Sequence, residues 1–107
     1  MNSKRKGKVG ELELVTWLKA RGLHAQRTQQ YKGTPNSADV ECQELKQLHI
    51  EVKRRESGNV YRWVSQAVSD AGSTRYPIVF HRRSRSLWHV TLRGDDFIAV
   101  VKGGSDG

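Results

Sequence analysis

Three residues near the middle of the chain have the types and spacing for metal chemistry. The segment Leu48-His49-Ile50-Glu51-Val52-Lys53 reads as a strand, and a strand sends successive side chains to opposite faces. Leu48, Ile50 and Val52 therefore share one face, and His49, Glu51 and Lys53 the other. A preceding strand near Ala38 to Gln43, pairing through a turn at Glu44 to Lys46, would bring Asp39 to the same side as Glu51. Two carboxylates held that close repel unless a divalent cation lies between them. Oxygen-only ligands with room for water suit magnesium, with manganese as a substitute. Lys53 alongside would orient an attacking water or stabilise charge on a phosphate. A strand-borne Glu-x-Lys alone is also a frequent surface ion pair, so it is the company of Asp39 that points to chemistry.

A fourth carboxylate comes from the first helical segment. Residues 8 to 21 carry apolar side chains at helical spacing and stop at Gly22, a residue suited to the position just past a helix end. At about 100° per residue, Leu12, Leu14, Val15 and Leu18 define an apolar arc, with Glu11 near its middle and Glu13 opposite. A carboxylate aimed inward is costly unless it is paired or binds a cation. Glu11 therefore needs a partner, which could be the metal, the helix amides or a nearby lysine.

The remaining elements must hold these residues in place. Leu23 to Thr28 can form a strand, and Gln29 to Ser37, with Gly33, Pro35 and Asn36, reads as a loop. After the two strands at Ala38 to Gln43 and Gln47 to Arg54, a second helix over Val60 to Ala71 aligns Trp63, Val64, Ala67, Val68 and Ala71 on one face and ends at Gly72. Pro77 opens an apolar strand at Ile78 to Phe80, and Leu87 to Leu92 offers another. Residues 95 to 101 are ambiguous: Phe97 to Val101 is β-branched and apolar, yet Asp95 and Asp96 suit a helix start. The order indicates an α/β fold: one domain over residues 1 to 107, with a mixed central sheet of about five strands flanked by helices. Residues 1 to 8 read as a flexible basic arm, and 103 to 107 as a loose tail.

Bulk properties narrow the partners. A chain of 107 residues buries roughly two thirds of its unfolded surface as one domain. No apolar stretch approaches the ~20 residues of a membrane span, so no membrane partner is expected. Cys42 is the sole cysteine, which excludes an internal disulfide and a multi-thiolate zinc site and fits a reducing cytoplasm. The four histidines, at 24, 49, 81 and 89, show no metal-ligand spacing along the chain, and His49 is expected to face the site without a catalytic role. Nineteen Lys and Arg against eleven Asp and Glu give a net charge of +8. Such an excess marks a polyanionic partner, nucleic acid first, because phosphate binding releases counterions. The basic residues cluster, at Lys4, Arg5, Lys6 and Lys8, at Lys53 to Arg55 and at Arg82 to Arg85, whereas the acids are scattered.

Asp39 after Ala38, then Glu51-Val52-Lys53, with an upstream helical Glu11, resembles the PD-(D/E)xK nuclease superfamily, whose fold is restriction-endonuclease-like. The wider pattern is similar to its Holliday junction resolvase branch, which includes archaeal and phage enzymes. That pattern is Lys6-Gly7-Lys8 before Glu11 to Val15, Arg21-Gly22-Leu23, a loop ending Pro35-Asn36-Ser37-Ala38-Asp39-Val40, and Glu51-Val52-Lys53. Ala38 stands where the superfamily has its proline, which removes no metal ligand. The resemblance implies a metal-dependent DNA endonuclease for recombination and repair, working in the cytoplasm, a host's if the chain is phage-encoded. It implies that Asp39, Glu51 and the Val52 carbonyl hold the metal, that Glu11 completes the site and that Lys53 positions the water. It also implies a serine, Ser37, near the scissile phosphate and a glutamine, Gln66, facing the site, although the helical wheel leaves Gln66 at the edge of the apolar face.

DNA would pass between the basic arm and the Lys32 loop, touching Lys4, Arg5, Lys6 and Lys8 and, further out, Arg54, Arg55, Arg62 and Arg82. Contacts of this kind read backbone rather than base sequence. Symmetric cutting of a four-way junction needs two sites about a two-fold axis, hence a homodimer. Trp63, Trp88, Phe97, Ile98, Val100 and Val101 are available for that interface or for the core. Two other readings remain open: a nuclease for flaps, nicks or duplex DNA, and a catalytically silent basic DNA-binding module.

Overall fold

The computed structural model describes residues 3–28 and 37–104, with side chains from Gly7 onward in the first stretch and up to Gly103 in the second. Helix α1 spans Ser3–Ala20. It starts before the apolar repeat does, so the segment expected as a loose arm has a helical backbone from Ser3. At its other end Gly22 takes a left-handed conformation, φ 86°, and Leu23 N–H donates to the Leu18 carbonyl at 3.2 Å, closing the helix as the sequence implied.

Strands β1 (Ala25–Arg27), β2 (Val40–Cys42), β3 (Leu48–Arg54), β4 (Tyr76–Arg82) and β5 (His89–Thr91) form one sheet in that spatial order. The β1–β2, β2–β3 and β4–β5 pairs are antiparallel, and β3–β4 is parallel. A 3₁₀ turn at Gln43–Leu45 joins β2 to β3, where the turn was expected. The parallel pair needs a crossover, supplied by helix α2 (Val60–Ala71), whose first turn is capped by Asn59 Oδ1 accepting from Arg62 N–H at 3.2 Å. Pro77 can stand inside β4 because β5 pairs only from Val79 onward, so no neighbour on that edge misses its N–H. The ambiguous C-terminal segment is helix α3, Gly94–Gly104. Its start is fixed by Asp96, which accepts from Arg93 Nε at 2.7 Å, and this local pairing outweighs the β propensity of the apolar run.

The main core lies between the sheet and α1. Leu14, Val15 and Leu18 meet Val40, Cys42, Leu48, Ile50, Val52, Ile78 and Phe80, with Trp88 and Val100 packed at its margin. Burying each such side chain contributes about 1.5–3 kcal/mol. Leu12, expected on the buried arc, is exposed. Helix α2 covers the other face of β3 and β4 through the small buried residues Ala67 and Ala71. Both faces of β3 are thus buried.

Candidate metal centre

Asp39 is fixed before its side chain does anything. Its N–H donates to the Ile50 carbonyl at 2.8 Å and its carbonyl accepts from Thr28 N–H at 3.1 Å, so its backbone is held between β1 and β3. Its Oδ2 then accepts from Val52 N–H at 2.8 Å. The amide and carbonyl of one strand residue point to the same edge, so the Val52 carbonyl also turns toward Asp39. Glu51 projects from the α2 face of β3 and is 6% exposed. Lys53, two residues on, shares that face and lies close enough to act on both carboxyls.

Burial is the largest influence on both acids. It pushes Asp39 up to about 7, reinforced by hydrogen bonding and charge from Glu51 and opposed by Val52 N–H and Lys53. Glu51 is also pushed up to about 7 by burial, reinforced by Asp70 and opposed by its bond with Asp39 and by Lys53. Two acids held this way favour a shared proton or a cation between them. Glu11, near enough for the Asp39 charge to raise its pKa, is raised chiefly by burial. Its partner is Arg27 on β1, whose Nε donates to Oε1 at 2.9 Å, rather than a helix amide or a lysine. Glu13 turns the other way and accepts from Arg54 Nε at 3.0 Å.

Two further residues join the site. His49 is 2% exposed, and its Nε2 lies 3.1 Å from Glu51 Oε1. Asp70 on α2 completes a trio in which one ligand atom from each of His49, Glu51 and Asp70 lies within 4.8 Å of the others. The absence of ligand spacing among the histidines is therefore a property of the sequence order only, because His49 gains its metal-binding company from a neighbouring helix. Its place two residues before Glu51 on the same face was the available signal. Burial keeps its imidazole pKa low, which leaves the ring neutral and fit to ligate. Asp70 had no comparable local signature.

The other expected site residues fall unevenly. Ser37 is partly buried two positions before Asp39. Gln66 is exposed on α2, one turn before Asp70. Lys8, Arg55 and Arg62 are exposed, whereas Arg54 is engaged by Glu13 and, at 2.9 Å, by Glu56. Arg82 lies 3.8 Å from Glu13 with its guanidinium 5.7 Å from the Trp88 ring centre. The side chains of Lys4, Arg5 and Lys6 and the whole of Lys32 lie outside the described residues.

The donors fit a divalent cation. Asp39, Glu51 and the Val52 carbonyl offer hard oxygen donors of the kind that would suit magnesium or manganese, and the His49 nitrogen beside Glu51 would suit a transition ion better than magnesium. No family model and no curated protein matches this sequence. Among solved structures the chain is similar to Hjc, a Holliday junction resolvase from the archaeal hyperthermophile Archaeoglobus fulgidus, with a TM-score of 0.60 and 25% identity over 81% of this chain and 72% of that one. The mixed five-stranded sheet with three helices, carrying Asp39 and Glu51-Val52-Lys53 at its centre, is the fold of that resolvase.

Proposed function

We propose that this protein is a magnesium-dependent endodeoxyribonuclease that resolves four-way DNA junctions, with manganese as a substitute ion. The observation that carries the reading is the burial of Asp39 and Glu51 against each other beside Lys53, on a fold similar to that of a Holliday junction resolvase. Asp39, Glu51 and the Val52 carbonyl hold the metal, and Glu11, oriented by Arg27, supports them. When bound, the ion supplies positive charge to the phosphate and acidifies water. Lys53 orients the attacking water and stabilises charge on the phosphate. His49 and Asp70 set the position of the Glu51 carboxylate. Ser37 contacts the scissile phosphate and Gln66 approaches it from α2. Lys4, Arg5, Lys6, Lys8, Lys32, Arg55, Arg62 and Arg82 contact flanking phosphates.

Paired cuts across a junction need two copies about a two-fold axis. The surface that supports a homodimer is α3, where Phe97, Ile98 and Val101 are 51%, 51% and 57% exposed. Trp63, Trp88 and Val100 are only partly exposed and contribute less to it.

The test compares magnesium-dependent cleavage of a four-way junction and of linear duplex of equal length by wild type and Glu51→Ala. Paired junction cuts that vanish without metal and in the variant are expected. Equal cutting of the duplex would retain the site and reassign the substrate. Tight junction binding without cutting would leave a silent binding module.

A further inference from the structure

A second concave feature opens beside Lys53 and takes no part in the metal centre. It is a cleft of about 310 Å3 between the end of β3, the start of α2 and the β4–β5 hairpin. In the parallel β3–β4 register His81 is the partner of Lys53, so the two side chains leave the same face on adjacent strands, about 5 Å apart. On the nuclease reading, a nucleic acid strand reaching Lys53 would pass this opening.

The lining is cationic and lacks its counter-charge. Among the described residues Arg55 and Arg83 have no carboxylate partner. The one acid present, Glu56, is occupied: it accepts from Arg54 at 2.9 Å and from Ser84 N–H and Oγ. Arg82 is engaged elsewhere, its Nη1 lying 3.8 Å from Glu13 and its guanidinium 5.7 Å from the Trp88 ring centre, so the free charge of the cleft is that of Arg55 and Arg83.

The wall is preformed. Trp63 stands 5.7 Å from His81, and His81 stands 5.9 Å from His89 in a near-parallel stack. Trp63 can reach this position because residue 58 is glycine; a Cβ there would lie 2.2 Å from Trp63 Cζ2. The His89 Nδ1 lies 3.0 Å from the Leu87 carbonyl, which can only accept, so that nitrogen carries a proton and the ring orientation is fixed. The volume is at the small end for ligand pockets, suited to one sugar–phosphate unit and too small for a base pair.

We infer that this cleft binds a backbone phosphate of the nucleotide neighbouring the cleaved one, held by Arg55, Arg83 and the outer ring of the Trp63–His81–His89 stack. The inference rests on the nuclease reading for the strand's path, but the phosphate site can be tested without cleavage. Anchoring two successive phosphates of one strand fixes its direction through the site, which a single metal contact cannot do.

The experiment measures junction binding without divalent metal across a range of salt, for wild type, for Arg55→Ala/Arg83→Ala and for a charge-matched control, Lys19→Ala/Arg21→Ala, at the end of α1. Loss of two phosphate contacts should lower the slope of log affinity against log salt by about two and weaken binding about 10- to 100-fold, with the control near wild type. His89→Ala should weaken binding by a smaller factor with unchanged manganese affinity in calorimetry. A cleft variant whose slope matches the control overturns the inference. Failure of wild type to cut a junction in magnesium would instead remove the nuclease reading, and the slope comparison would still decide the phosphate site.

Discussion

On one face of β3, Leu48, Ile50 and Val52 pack against Leu14, Val15 and Leu18 of α1. On the other, His49 and Glu51 lie equally deep beneath α2, beside Asp39 and Asp70. One strand thus buries two kinds of surface with opposite energetic signs. The apolar face is stabilising as it stands, because removing it from water is favourable. The ionisable face is costly as it stands, because burial penalises each charge, Glu51 raises the pKa of Asp39 and Asp70 raises that of Glu51. Stability and function are divided between alternate residues of the same seven-residue strand.

The sharpest way to test this division is to change neighbours on that strand. Ile50→Ala, at a fully buried position, should destabilise the protein by about 2–5 kcal/mol in denaturant titration, through lost transfer energy and the cavity left behind. A loss below about 1 kcal/mol would mean that α1 does not carry the core.

A smaller effect, of opposite sign, is expected from Asp39→Asn without metal. Asparagine keeps an acceptor for Val52 N–H and removes a charge. Asp39 and Glu51 each titrate at about 7 in the folded chain, against ordinary values of 3.8 and 4.5. Between those limits the folded state holds more protons than the unfolded one, so their stabilising contribution is complete at low pH and lost as pH rises through about 7. His49 and His81, whose pKa values are lowered, act in the other direction but are shared by both proteins. Thermal melts should therefore show wild type losing stability relative to Asp39→Asn from about pH 4 to pH 7, and magnesium should restore it in wild type only. Parallel curves with and without magnesium would remove the electrostatic half of the comparison.

What the sequence disclosed follows the range of its patterns. The Val60–Ala71 helix, the β3 strand and the Asp39–Glu51–Lys53 grouping rest on local periodicity and one hairpin, and the structure contains them. The alternation in β3 gave the two faces correctly, but it could not reveal that both are buried, since that depends on where the α2 crossover lands. For the same reason Asp70 and Arg27 were invisible: each reaches the site from an element distant in sequence and has no motif of its own. The segment 95 to 101 was undecided because its β-branched residues and its acidic start favour different structures, and the Arg93–Asp96 pair resolves the conflict in favour of a helix.

The solitary thiol has a practical consequence. Cys42 is buried in β2, the short strand that follows directly from Asp39, and its thiol is pushed up chiefly by burial. It can react with an alkylating reagent only when this edge of the sheet opens, and no second cysteine confuses the signal. The rate of thiol trapping is therefore a native clock for the opening of the strand next to the metal centre, readable without a label or a substitution, and slowed by any ion that Asp39 holds.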